Sequence, residues 1–268
     1  MSAAIPPFAA ELARIAHDAG RLILKHYAEE IEVRAKADSS PVTAADEEAE
    51  TLILRRLAKL APGIPVIAEE AMAKGHRPQP SPRFFLVDPL DGTKEFLKKN
   101  GEFTVNIALI EEARPVCGVV LAPAKARAFI GDAAFGAFEV AAPEDLPLEV
   151  SAAQVIRARH IPVTGLVAIV SRTHRDTKTD HYLETYGLAN LIAAGSSLKF
   201  CLVATGEADL YPRHGRTMEW DTAAGQAVLE AAGGSVKTLN GAPLTYGKAE
   251  RGYANPAFVA RGLECGPI

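Results

Sequence analysis

Cysteine is scarce: Cys117, Cys201 and Cys265 are the 3 in 268 residues, far apart and with no C-x-x-C pair. An odd, scattered set argues against a disulfide framework and a zinc-thiolate site, and for a reducing compartment. Positive charge is not in excess. The 29 basic and 33 acidic residues give a net charge of −4, so no overall field holds a nucleic-acid polymer nonspecifically. No apolar run approaches the ~18 residues a membrane-spanning helix needs. The opening MSAAIPPFAAELARIA lacks the basic and apolar regions of a secretory signal. No H-E-x-x-H or G-x-G-x-x-G occurs, and Gly241 to Gly247-Lys248-Ala249 is one residue too long for a P-loop and lacks its Ser/Thr. What is present is ordinary globular composition, 48% hydrophobic and 23% charged. It excludes disordered, collagen-like and coiled-coil chains, and the length suits one large domain or two modest ones.

Hydrophobic periodicity divides the chain near Pro143 to Pro147. Residues 8–27 read as an amphipathic helix. A second begins at Thr43, where Thr43 with Asp46 fits a capping box in its acidic form, and Pro62-Gly63 stops it. Strands follow at 65–68, 84–87, 103–109, 116–121, 128–130 and 135–140, with a polar loop at 71–82. The alternation at 103–109 is that of a half-buried strand. Helices followed by consecutive strands make residues 1–147 an antiparallel α+β unit. Beyond it, strands at 167–170, 191–194, 208–211 and 235–238 alternate with helices at 176–186, 197–205 and 221–232. That makes 148–268 an α/β unit.

Carboxylates stand at the ends of apolar segments in four places: Asp46, Glu69-Glu70, Asp88 with Asp91, and Asp221. In Asp88-Pro89-Leu90-Asp91-Gly92-Thr93, a proline at the second position of a tight turn would bring two carboxylates together, which needs a cation. A surface turn with polar corners is the plain alternative, weakened by the apolar strand Phe84-Phe85-Leu86-Val87 before it. Asp221 alone reads as a helix N-cap, although a helix start also favours anions. Glu69-Glu70 alone reads as a solvated pair, and Asp46 as a first-turn charge. Together the set offers only hard oxygen ligands, which select Mg²⁺, Ca²⁺ or Mn²⁺ over zinc. Metal-assisted phosphate ester hydrolysis is the chemistry that follows.

Four segments carry a resemblance: Ser40-Pro41-Val42-Thr43-Ala44-Ala45-Asp46; Glu69-Glu70; Asp88 through Phe96; and Trp220-Asp221-Thr222-Ala223-Ala224 with Ala232-Gly233-Gly234. In order and spacing, over nearly the whole chain, they resemble the inositol monophosphatase superfamily of lithium-sensitive, magnesium-dependent phosphatases. Lys94-Glu95-Phe96, the run Asn100 to Ile110, Gly195 to Cys201 and Leu210-Tyr211-Pro212-Arg213 are similar to its 3′(2′),5′-bisphosphate nucleotidase branch of CysQ type. Those enzymes remove the 3′-phosphate of adenosine 3′,5′-bisphosphate, a by-product of sulfate activation.

The resemblance implies a layered αβαβα sandwich and two or three Mg²⁺ ions. Glu69, Asp88 and the Leu90 carbonyl would hold one ion, and Asp88, Asp91 and Asp221 a second. Glu70 and Asp46 would serve a third ion or the attacking water, which Thr93 would orient with an acidic partner. Substrate would meet Glu69, Leu90, Asp91, Gly92, Thr93, Ser196 and Asp221. His174, Lys199 and Arg213 would hold the phosphate that is not cleaved. Without the resemblance, Lys199 reads as a solvated helix charge, Arg213 as a loop charge and His174 as structural or exposed. The implied setting is the cytoplasm, either free in solution or peripheral on the cytoplasmic face of the inner membrane, as monomer or homodimer, with a small phosphorylated nucleotide as the partner. The competing readings are an inositol or sugar-phosphate monophosphatase on the same scaffold and a non-catalytic phosphate- or metal-binding regulator.

Overall fold

Two helices open the chain in the computed structural model, which describes residues 4–29, 34–35, 41–79 and 81–263. Ser40 and Cys265, named above, and Pro80 of the 71–82 loop lie outside these. Helix α1 (Pro7–Ala28) buries Leu12, Ile15, Ala19 and Ile23 along one face. A short ribbon, β1 (Arg34–Ala35) with β2 (Pro41–Val42), leads to α2 (Ala44–Leu60). The expected capping box is there: Asp46 Oδ2 accepts from Thr43 N at 2.8 Å and Thr43 Oγ1 at 2.7 Å. No helix among the described residues is long and apolar enough to cross a membrane.

A seven-stranded sheet follows, its strands side by side in chain order. They are β3 (Val66–Ala68), β4 (Arg83–Asp91), β5 (Thr104–Glu111), β6 (Arg114–Ala122), β7 (Arg127–Asp132), β8 (Gly136–Ala141) and β9 (Gln154–Ile156). Two short helices interrupt the run, α3 (Glu69–Ala73) and α4 (Thr93–Leu97). All neighbours are antiparallel except β3 and β4. Helix α3 corrects the polar-loop expectation for residues 71–73. Its first N–H groups are received by Glu50 of α2, a tertiary cap that local sequence does not contain. Strand β5 corrects another: both of its faces are buried, Thr104 and Asn106 included. Its polar face meets a second layer of protein rather than water.

The second sheet runs β11-β10-β12-β14-β13. Its elements are β10 (Leu166–Ser171), α5 (Thr177–Glu184), β11 (Leu188–Ala194), α6 (Leu198–Ala204), β12 (Leu210–Arg213), α7 (Ala223–Ala231), β13 (Ser235–Thr238) and β14 (Phe258–Arg261). Strands β10, β11 and β12 are parallel, whereas β14 lies antiparallel between β12 and β13. Strands β9 and β14 are too short to show a period, and pairing alone identifies them.

The layers are α1 and α2, the first sheet, α6 and α7, the second sheet, and α5. This is the αβαβα sandwich. Phe85 and Val87 face the outer helices while Phe84 and Leu86 face the middle layer, so period-2 alternation serves two cores. Each fully buried side chain of this size contributes roughly 1.5–3 kcal/mol. Helix α7, from the second half of the chain, packs on the first sheet so closely that a Cβ on Gly131 would sit 2.5 Å from the Ala227 carbonyl oxygen. That approach seats α7 on the first sheet, and Asp221 and Thr222 immediately before it line the cavity described below.

Candidate active site

Parallel strands point their carboxyl ends the same way, and open α/β sheets bind ligands outside those ends. Here two such groups converge. Strands β3 and β4 lead into Glu69, Asp88 and Asp91, while β10, β11 and β12 lead into His174, Ser196, Lys199 and Arg213. Between them lies a cavity of about 690 Å³. Glu69, Asp88, Leu90, Asp91, Gly92, Thr93, His174, Ser196, Lys199, Arg213 and Asp221 all line it. Asp46 and Glu70 do not line it and are buried. Asp46 nevertheless reaches it through Thr93, whose Oγ1 donates to Asp46 Oδ1 and to the Leu90 carbonyl, each at 3.4 Å.

One wall is acidic. The Asp88-to-Asp91 segment is not the closed turn expected from its proline. It stays in β4 as a bulge, with Asp88 opposite Asn106 and Asp91 opposite Thr104. The extra residue re-aims the strand toward the cavity, and Leu90 N donates to Asp88 Oδ1 at 3.0 Å. Gly92 then takes a left-handed backbone, φ 90°, which favours glycine, and turns the chain into α4. Asp91 Oδ2 accepts from Ser197 N at 2.6 Å and from Asn106 Nδ2 at 3.3 Å. Asp221 is not the helix cap. Thr222 takes that position, and Asp221 Oδ2 instead accepts from Met218 N at 2.8 Å.

Burial raises the Asp221 pKa well above the usual carboxylate range, and the Asp91 and Glu69 charges add to it. Burial raises Asp91 too, against the pull of Lys199. The hydrogen bonds above orient these side chains, and among the described residues no three His, Cys, Asp or Glu are gathered in ion-holding geometry. The donor set still fits a hard divalent cation: every side-chain donor is a carboxylate oxygen, and the Glu69 charge raises the pKa of both Asp91 and Asp221.

The same cavity is lined by two buried cations. Lys199 is 4% exposed, its Nζ donating to the Ser196 carbonyl and lying 5.3 Å from the Tyr211 ring centroid. Arg213 is 8% exposed. Its guanidinium donates weakly, to the His174 carbonyl at 3.4 Å and the Arg216 carbonyl at 3.2 Å, while Nε is buried with no partner among the described residues. Arg213 lines the cavity, and a buried guanidinium with weak or missing partners suits an anion. His174 stands at the exposed rim. Partial desolvation, with Arg213 and Lys94 nearby, holds its pKa below the usual imidazole value.

Sequence reasoning missed the supports. Glu95 is 3% exposed, lines the cavity and accepts from Thr173 Oγ1 at 3.0 Å, tying α4 to the second half. Asn106 donates to Ser197 Oγ at 3.0 Å, and that hydroxyl donates to the Asp221 carbonyl at 2.5 Å. Glu219, fully buried, receives Gly247 N and Lys248 N and so fixes the loop that brings Tyr253 beside Trp220. Glu95 and Ser197 lie inside the segments that carry the resemblance. Glu219 leaves no local signal.

Comparison with known proteins agrees with this architecture. The chain is 44% identical over 250 residues to the 3′(2′),5′-bisphosphate nucleotidase CysQ of Shigella flexneri, covering 92% of this chain and 97% of that one. It is 44% identical over 251 residues to the CysQ of Salmonella typhimurium, with 92% and 97% covered. Among solved structures, CysQ from Bacteroides thetaiotaomicron superposes with a TM-score of 0.79 at 36% identity, covering 95% of this chain and 96% of that one. The inositol monophosphatase of Anabaena shares the fold, with a TM-score of 0.72 at 24% identity over 96% of this chain and 90% of that one. The inositol monophosphatase family pattern matches residues 7–263. A match spanning both sheets and the lining of the cavity settles the ancestry: the chain belongs to the inositol monophosphatase family.

Proposed function

We propose that the chain is a Mg²⁺-dependent phosphatase that removes the 3′-phosphate of adenosine 3′,5′-bisphosphate, giving AMP and inorganic phosphate. The observation that carries this reading is one cavity lined both by the carboxylates Glu69, Asp88, Asp91 and Asp221 and by the buried cations Lys199 and Arg213. The carboxylates suit metal-assisted cleavage of one phosphate, and the cations suit the phosphate that stays. The likeness to CysQ nucleotidases supports the same substrate class. Buried thiols at Cys117 and Cys201 suit a reducing, cytoplasmic setting.

In this reading Glu69, Asp88 and the Leu90 carbonyl would hold one ion, and Asp88, Asp91 and Asp221 a second. Glu70 with Asp46 stands near a third or near the attacking water. Bound there, such ions would supply a water of lowered pKa and would neutralise charge developing on the phosphoryl and leaving oxygens. The protein does the orienting. Asp46 is fixed by Thr43 and receives the Thr93 hydroxyl proton in a hydrogen bond. The Thr93 oxygen is thereby aimed to accept from a water in the cavity, for which Thr93 becomes the positioning group. Attack forms a bond from the water oxygen to phosphorus as the bond to the ribose 3′ oxygen breaks; one proton of the water stays with the inorganic phosphate and the other passes by way of solvent to the 3′ oxygen, which leaves as a hydroxyl. Lys199 and Arg213 meanwhile hold the 5′-phosphate, Arg as a fork and Lys as a point charge.

The test is phosphate release from adenosine 3′,5′-bisphosphate and from inositol 1-phosphate, with and without Mg²⁺. Chelator should abolish turnover and Mg²⁺ restore it. Full activity in chelator, or faster release from inositol 1-phosphate, would overturn the reading.

A pH dependence follows from Lys199. Burial lowers its pKa to about 8, against the attraction of Asp91 and with Arg213 repelling it. As pH rises through about 8, the free enzyme loses this charge. The kcat/KM for the bisphosphate should then fall, while that for a monophosphate stays level. Lys199→Gln should remove that limb of the profile; a limb that survives the substitution belongs to another group. The stability sign is the opposite of a salt bridge. The folded pKa lies below the ordinary 10.5, so the unfolded chain binds more protons in that window. This lysine therefore costs stability below its folded pKa, and the cost is relieved as pH rises toward the unfolded value. Lys199→Met should raise the thermal midpoint of the metal-free protein at neutral pH.

A further inference from the structure

Glu50 is a buried carboxylate that neither lines the cavity nor belongs to any segment with an assigned role. It stands one helical turn beyond Asp46 on α2, and residues four apart on a helix share a face. It is 5% exposed. Its two oxygens accept separately, Oε2 from Glu70 N at 2.7 Å and Oε1 from Ala71 N at 2.8 Å. Those are first-turn N–H groups of α3, and Ala68, the residue capping that helix, has no side-chain bond to give them. Helix α3 is five residues long, too short to hold its geometry by its own hydrogen bonds. Its opening residue is Glu69, which does line the cavity.

We infer that Glu50 is a positioning residue that locks the backbone of Glu69 and Glu70 to the helix carrying Asp46, and thereby sets the affinity of the acidic wall for its divalent ion. One rigid element then places three groups: Asp46 directly, Thr93 through Asp46, and Glu69 through Glu50. The bidentate arrangement needs two acceptor oxygens. Glutamine offers one oxygen and one NH₂, so Glu50→Gln sets a donor against one of the two N–H groups with almost no change in volume. Outer-shell partners of this kind typically control metal affinity by 10- to 100-fold. The inference rests on the reading of Glu69 as a metal ligand.

The experiment titrates Mg²⁺ into the metal-free full chain by calorimetry, with the fluorescence of Trp220, the 1 tryptophan of the chain, as a second signal. Turnover is then measured against Mg²⁺ concentration. Glu48→Gln serves as the control, since Glu48 is an exposed residue of the same helix paired with His26. For Glu50→Gln, Mg²⁺ affinity should fall roughly 10- to 100-fold, with kcat at saturating Mg²⁺ within about threefold of wild type. Glu48→Gln should change neither. Unchanged Mg²⁺ affinity in Glu50→Gln overturns the inference, whether or not thermal stability falls. A loss of kcat with affinity intact also overturns it, because Glu50 would then act in the chemistry. If the Gln variant does not fold, Glu50→Asp, which keeps the charge and shortens the reach, is judged by the same two numbers. A wild-type chain that binds no Mg²⁺ refutes the metal reading itself, a result distinct from either.

Discussion

Asp88→Asn is expected to abolish turnover while leaving the fold intact. Asp88 is 1% exposed, lines the cavity and accepts the Leu90 N–H. Asparagine keeps the shape and can keep that bond, so the bulge of β4 should persist. What is lost is a full negative charge at the position proposed to touch both ions. Removing one preorganised electrostatic contributor at a transition state typically costs ~3–4 kcal/mol, or 10²–10³ in rate, and a ligand shared by two ions should cost at least that. The measurement is kcat at saturating Mg²⁺ beside far-ultraviolet circular dichroism and thermal unfolding. Retention of more than about a tenth of wild-type activity, a loss of only ~1.4 kcal/mol, would contradict the assignment of Asp88.

Arg213→Ala should separate substrate class from metal chemistry. The guanidinium is 8% exposed, with Nε unpartnered among the described residues, so it gains most when an anion arrives. A hydrogen bond to a charged group is worth ~1.5–3 kcal/mol, which corresponds to roughly 10- to 150-fold in kcat/KM. Hydrolysis of adenosine 3′,5′-bisphosphate should fall by that factor. Slow hydrolysis of inositol 1-phosphate, which has no second phosphate, should hardly change. Both rates are to be taken on one preparation with metal saturating. Equal losses on both substrates would make Arg213 a support of the scaffold or the metals. No loss on either would return it to a solvated charge.

Much of the fold was legible because its signals are local. The capping box at Thr43 and Asp46, the Pro62-Gly63 stop and the alternation along β5 each involve neighbours in sequence. Where tertiary partners supply the missing half of an interaction, local reading failed. Asp221 looks like a cap because Asp commonly is one, yet its carboxylate turns back to Met218 N and Thr222 takes the cap position. Asp88-Pro89-Leu90-Asp91 looks like a closed turn, yet pairing with β5 keeps it in the sheet as a bulge. Strand β14 has only four residues and exists because β12 and β13 flank it.

By itself the amino-acid sequence determined the chemistry on offer. Its carboxylates stand at element ends, it lacks thiolate and histidine metal spacings, and its motif order identifies the family. Only the tertiary structure decided that Lys199 and Arg213 are buried charges rather than solvated ones, that they line the same cavity as the carboxylates, and that Glu50 and Glu219 hold backbone far from them in sequence. The physical reason is range. Propensity, capping and turn chemistry act over a few residues, whereas burial of a charge depends on which distant N–H, carbonyl or counter-charge the packing brings within hydrogen-bond reach.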